Sequence, residues 1–293
     1  LPFNSEFEEI LLVRKLTIAA FAALAAIAGV TKQSAIAAPF SYTGGALSEN
    51  FDTLPTNVSN ASQVGLPKTP FYLNPAVNAL TGLTGWQANN LGTSATSEFR
   101  AQDGSLAGSS GRGIMSYGTN GSTDRALGAL PTSNQINNFG LVLVNNSSDT
   151  YDSFDLSYVG EQWRRGEPGV TNTMTFAYAV GATDIGSSLT NVAGLSFSNP
   201  NNQASPTEVA LNGNLALNQV AVSGSITGLN WAPGQTLVLR WALGEASGQD
   251  NGLGIDNLSF VAHAVPEPST FVLGALALAG LAGYRIRRQR SSR

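Results

Sequence analysis

The sequence predicts an all-β protein: an antiparallel, jelly-roll-like β-sandwich flanked by an N-terminal signal-peptide helix and a C-terminal short transmembrane helix. Three observations predict it. Apolar residues in the middle of the chain recur with period two, and clusters rich in Asn, Gly and Ser separate them. No stretch of that middle shows a helical face longer than two turns. Apolar runs at both ends lie beside basic residues and stand apart from the rest.

Residues 1–37 are expected to leave before the protein matures. Arg14 and Lys15 form a positive n-region, residues 16–30 an apolar h-region, and Ala35 and Ala37 a small-x-small cleavage site. Residues 1–12 carry Glu6, Glu8 and Glu9 ahead of the basic pair and are expected to be translated upstream sequence.

Residues 38–262 form the expected single domain. In 154–158, Phe154, Leu156 and Tyr158 alternate with polar neighbours. Met174, Phe176, Tyr178 and Val180 do the same, as do Leu237, Leu239, Trp241 and Leu243. Residues 139–145 read as a more continuously apolar strand. Turn clusters at 145–149, 164–169 and 212–214 separate these runs. Residues 55–135 are rich in Asn, Gly, Ser and Thr, which predicts long loops.

Composition narrows the function. Only 12% of the 293 residues are charged, about half the ordinary globular level. With no cysteine, disulfides, thiolate chemistry and Cys-ligated zinc are excluded. The single histidine, His263, lies in the segment leading to the tail, which removes Ser-His-Asp triads and His-ligated zinc. Residues 38–262 hold 7 Lys and Arg against 15 Asp and Glu; such an acidic body does not suit nucleic acid. A glycosidase would need two carboxylates facing each other across a cleft, and no spacing in the sequence pairs them. The protein is not expected to be an enzyme.

Two clusters carry chemistry. In 160–169, Glu161, Trp163, Arg164, Arg165 and Glu167 lie within seven residues. On a strand, Glu161, Trp163 and Arg165 share one face. One reading is a sugar platform with Trp163 stacking on the ring. The favoured one is structural, with Trp163 filling the sandwich and Glu161 paired to an arginine such as Arg125 or Arg240. The second cluster, 249–257, offers Asp250 and Asp256, and the first strand offers Glu49 and Asp52. Oxygen-only ligands suit a structural Ca²⁺. Turn chemistry explains the same residues without a metal, and no other cofactor is expected.

Residues 263–293 form the tail. Pro266, Glu267 and Pro268 precede an apolar run at 271–284, followed by Arg285, Arg287, Arg288 and Arg290. At 1.5 Å per residue the 14-residue run measures about 21 Å, so spanning the hydrocarbon core requires flanking residues to join it. This order of parts resembles the PEP-CTERM sorting signal of Gram-negative bacteria. The resemblance implies processing by an integral-membrane exosortase after transient inner-membrane anchoring, in bacteria that make extracellular polysaccharide.

The middle also resembles a domain of secreted bacterial proteins, through the segments at 115–130, 158–166 and 239–260. That domain has no established activity. Asn251 stands where the pattern commonly has His, and Asn257 where it commonly has a second Asp. The expected function is therefore structural or adhesive, at the cell surface or in the exopolysaccharide matrix. The expected partners are the exosortase, the export machinery and matrix polysaccharide. A carbohydrate-binding module is the alternative, and a carboxylate-based polysaccharide hydrolase or lyase a second alternative.

Overall fold

The computed structural model describes residues 38–58, 64–66, 70–73, 83–90, 97–106, 113–131, 136–264 and 270–291. Ala35, Ala37, Pro266, Glu267 and Pro268 lie outside them. Two sheets account for the strands. The first contains β1 (Phe40–Tyr42), β4 (Phe71–Tyr72), β5 (Trp86–Asn90), β9 (Ile136–Asn145) and β11 (Thr173–Val180). It is completed by β12 (Thr190–Asn191), β13 (Phe197–Ser198) and β16 (Thr236–Gly244). The second contains β2 (Ala46–Glu49), β3 (Val64–Leu66), β6 (Ser97–Gln102), β7 (Gly113–Tyr117) and β8 (Ala126–Leu130). Its remaining strands are β10 (Tyr151–Arg165), β14 (Val209–Ala210), β15 (Gln219–Trp231) and β17 (Gly252–Ala264).

Three of the longer strands, β10, β11 and β16, are those whose alternation is legible in the sequence. Phe154, Leu156 and Tyr158 of β10, Met174 and Phe176 of β11, and Leu237, Leu239, Trp241 and Leu243 of β16 are buried in one apolar core. Aromatic contacts tie the sheets together: Tyr158 meets Trp241 edge-on at 5.6 Å, and Phe154 meets Tyr178 at 5.7 Å. Trp241 also contacts Trp86, Phe139 and Phe176. Such pairs contribute roughly 0.5–1.5 kcal/mol each beyond the area they bury.

Two expectations need correction. The sandwich is mainly antiparallel, but β1 pairs with β9 and β6 with β7 in parallel, joined by intervening chain rather than tight hairpins. The tail does form a helix, α1 (Thr270–Ser291), but the expected transmembrane span is not supported among the described residues. Its 22 residues reach about 33 Å, yet Arg285, Arg287, Arg288 and Arg290 occupy its last two turns. No helix among the described residues is long and apolar enough to cross a membrane. In addition, β17 continues through His263 to Ala264, so the histidine belongs to the sheet and pairs across from Ser153 of β10.

Candidate functional site

The densest chemistry in the sequence is folded inward. Glu161 and Trp163 are two residues apart on β10, so their side chains share a face. Both are buried, Trp163 at 0% exposure, and the indole Nε1–H donates to Glu161 Oε2 at 2.8 Å. Gln219 of β15 donates to the other carboxylate oxygen at 3.1 Å. The Trp163 ring stacks on Tyr117 at 6.0 Å, nearly parallel, within a second apolar cluster of Met115, Tyr117, Ala126 and Leu130. Two glycines permit this packing. A Cβ on Gly213 would meet Trp163 Nε1 at 2.3 Å, and one on Gly104, at φ +86°, would meet the Trp163 carbonyl oxygen at 1.8 Å. A fully buried indole presents no open face to a sugar.

Trp163 thus lies in the interior, and Glu161 does not take the expected arginine partner. Arg125 does not pair with Glu161: its guanidinium donates to the Ser116 hydroxyl, the Ser116 carbonyl and the Thr119 carbonyl, tying the 116–125 turn together. Arg240 donates to the Ile185 carbonyl. With amide and indole donors in place of a guanidinium, burial dominates and pushes the Glu161 carboxyl up to about 7. Arg164 is buried too, donating to the Gly104 carbonyl at 3.1 Å and to Glu208 at 3.4 Å.

The four carboxylates considered for calcium do not assemble. Asp250 accepts from Asn172 at 2.7 Å and from the Ala246 amide at 2.8 Å, and burial raises it to about 6. Asp256 sits at a bulge in β17, where the register slips by one residue against β10. Asn257 takes a left-handed conformation there, φ 51°, so that its own N–H and its side-chain amide both donate to Asp256. Burial, with Glu161, Asp124 and Asp52 adding repulsion, lifts Asp256 to about 7. Glu49 accepts from the Phe51 amide at 2.8 Å, and Asp52 accepts from Asn50 at 2.7 Å. Among the described residues no three acidic or histidine side chains converge as a metal cage.

Sequence reasoning missed what Asn251 does. Its Oδ1 accepts from Gln162 at 2.9 Å and from the Gly166 amide at 3.1 Å. Its Nδ2 donates to the Val170 carbonyl and to Asn172. All four bonds an amide can make are filled, joining the end of β10, the start of β11 and the β16–β17 loop. A buried amide with four matched partners is a structural tie.

The solvent-facing chemistry lies on the outer side of the second sheet. Cross-strand register places Ser48 of β2, Ser259 of β17, Ser157 of β10 and Ser223 of β15 directly beside one another. With strands about 4.8 Å apart, the row is roughly 14 Å long. Ser48 and Ser223 are exposed, Ser157 and Ser259 half-buried. In the neighbouring rung, Asp155 accepts from Ser225 and lies 2.8 Å from His263 Nε2; these two hydrogen bonds hold its carboxyl below the usual range. The carboxylate stands between the hydroxyl and the imidazole, so this is not a nucleophilic triad, which needs the imidazole in the middle. A shallow groove of about 270 Å³ runs over Asp155, Ser157, Ser223, Ser225 and Ser259. A second of about 430 Å³, lined by Ser48, Glu49, Asn50 and Asn257, meets it at Ser259. The sequence held a weak signal for this face in the small polar residues alternating through 221–227.

The tail and the fold can be set beside known proteins. A family model described as the PEP-CTERM protein-sorting motif matches residues 264–289. No curated protein matches the chain. Among solved structures, TmCBM61 in complex with β-1,4-galactotriose is similar at 8% identity, over 49% of this chain and 74% of that one, with a TM-score of 0.26. A family 35 carbohydrate binding module from Clostridium thermocellum is similar at 11% identity, over 49% and 80%, with a TM-score of 0.22. The enzymatically active domain of tailspike protein 4 from bacteriophage CBA120 is similar at 11% identity, over 62% and 20%, with a TM-score of 0.31. Similarities this distant carry no argument about ligand or activity.

Proposed function

We propose that this chain, which carries a PEP-CTERM sorting motif at residues 264–289, is an exported, exosortase-processed protein with a structural or adhesive role. Its destination is the cell surface or exopolysaccharide matrix of a Gram-negative bacterium. The observation that carries this reading is the joining of that motif to a β-sandwich whose most reactive groups are sealed inside. Glu161 and Asp256, the buried carboxylates lifted to about 7, line neither outer groove, and a glycosidase needs both its carboxyls open to substrate. On this reading the protein is not an enzyme. What it offers outward is a polar sheet face of hydroxyls and carboxylates, suited to non-covalent contact with hydrated glycans or other surface proteins.

Cell fractionation tests the sorting half. With the exosortase active the protein is expected in the surface and matrix fractions; with the exosortase gene deleted it is expected to accumulate in the cell envelope. An unchanged distribution would overturn the reading. The carbohydrate-binding alternative, relocated from Trp163 to the outer face, is favoured by the meeting of the two grooves at Ser259. It predicts retardation in polysaccharide-containing gels that Ser157→Val abolishes.

A further inference from the structure

β15 is a 13-residue strand with one strand partner among the described residues. It pairs along β10, in unbroken register from Gln219 opposite Glu161 to Thr227 opposite Ser153. Its other edge meets no strand among the described residues. The turn at Ala193–Leu195 supports it from beneath, where Leu195 comes within 3.2 Å of the Cβ position of Gly224. Free edges of this length are normally blunted by charge, by proline or by brevity. The sequence of β15, QVAVSGSITGLNW, has neither charge nor proline. Just before it, Leu215 and Leu217 are 54% and 61% exposed.

We infer that β15 is a homodimerisation edge, pairing antiparallel with β15 of a second copy across a two-fold axis. Charge selects the occupant. An edge without charge gives an acidic or basic partner strand nothing to recognise, and its complement is a strand of the same neutral Val/Ser/Thr composition. The body around it holds 15 Asp and Glu against 7 Lys and Arg over residues 38–262. Two such acidic copies repel overall, and contact along an uncharged edge adds no further like-charge pair. A two-fold contact is self-complementary, and the unbroken stretch 219–227 is centred on Ser223. Pairing about that centre sets Ser223 opposite its own copy and Gln219 opposite Thr227. Strand addition of this kind draws its affinity from main-chain hydrogen bonds. It also joins the two outer faces, so that the row Ser48–Ser259–Ser157–Ser223 continues into its symmetry mate. This inference goes beyond the proposed function and survives if the adhesive role fails.

Sedimentation velocity of the full chain over a dilution series tests it. The unmodified protein is expected to dimerise. Ser223→Lys places like charges directly opposite each other across the axis, which destabilises a strand pair, and is expected to be monomeric. Ser223→Glu is expected to be monomeric as well. Mixing the two variants is expected to restore a dimer containing one copy of each, which also shows that both variants are folded. A monomeric unmodified protein overturns the proposal. So does a Ser223→Lys protein that still dimerises, since association through α1 or another surface would be indifferent to residue 223.

Discussion

Replacing Glu161 by glutamine should remove a specific part of the protein's pH dependence. The carboxyl is buried with only an indole and an amide as donors, and its folded-state value rises from 4.5 to about 7. A carboxyl raised on folding holds its proton more tightly in the native state. Its stabilising contribution is therefore complete below pH 4.5 and is lost as pH rises through about 7. At about 1.4 kcal/mol for each tenfold change in proton affinity, that rise corresponds to roughly 3–4 kcal/mol. The substituted side chain would keep an oxygen for the Trp163 N–H, and the Gln219 amide can turn to match it. Urea unfolding of both proteins between pH 4 and 8 gives the difference curve, in which groups remote from Glu161 largely cancel and the relieved repulsion on Asp256 adds in the same direction. The unmodified protein should lose roughly 3–4 kcal/mol more than Glu161→Gln across that window, equivalent to roughly 6–16 °C in Tm for a domain of this size. Parallel stability curves would refute the reasoning, because they would mean that Glu161 is solvated or paired with a cation.

Other consequences can be measured on the same material. Asp256→Asn should flatten the pH dependence in the same direction, by about 4 kcal/mol, since Asp256 rises from 3.8 to about 7; urea unfolding at pH 4 and 8 checks it. Trp163→Ala should destabilise the fold by roughly 3–5 kcal/mol through loss of a fully buried indole. Polysaccharide binding lost at unchanged stability would contradict that placement. Thermal unfolding in excess Ca²⁺ and in EDTA should give coincident curves, because Glu49, Asp52, Asp250 and Asp256 form no cage among the described residues.

The sequence made the core legible where one face of a strand packs and the other meets solvent. β11 is the clearest case, with buried Met174 and Phe176 alternating with exposed Thr173 and Thr175. It was less informative where both faces are covered. β5, β7 and β8 are buried at every position, and no alternation survives such burial; in a region rich in Gly, Asn and Ser they read as loops. β15 failed for the opposite reason: as an edge strand with few large side chains it carries too little hydrophobic contrast. The sequence offers an interior place for Trp163, but not its hydrogen bond to Glu161. The choice of Gln219 over an arginine depends on the β10–β15 register, which links residues 58 apart in sequence. Asp250 and Asp256 looked alike as loop carboxylates. A strand bulge separates them, fixed by a left-handed Asn257 whose conformation the sequence leaves open.

If the tail is a processed sorting signal on an exported sandwich, the intact mass of the native protein purified from cells records it. The expected chain starts near Ala38 and ends near residues 266–268, having lost α1 and its arginines. A mass that still includes residues 271–293 would contradict it.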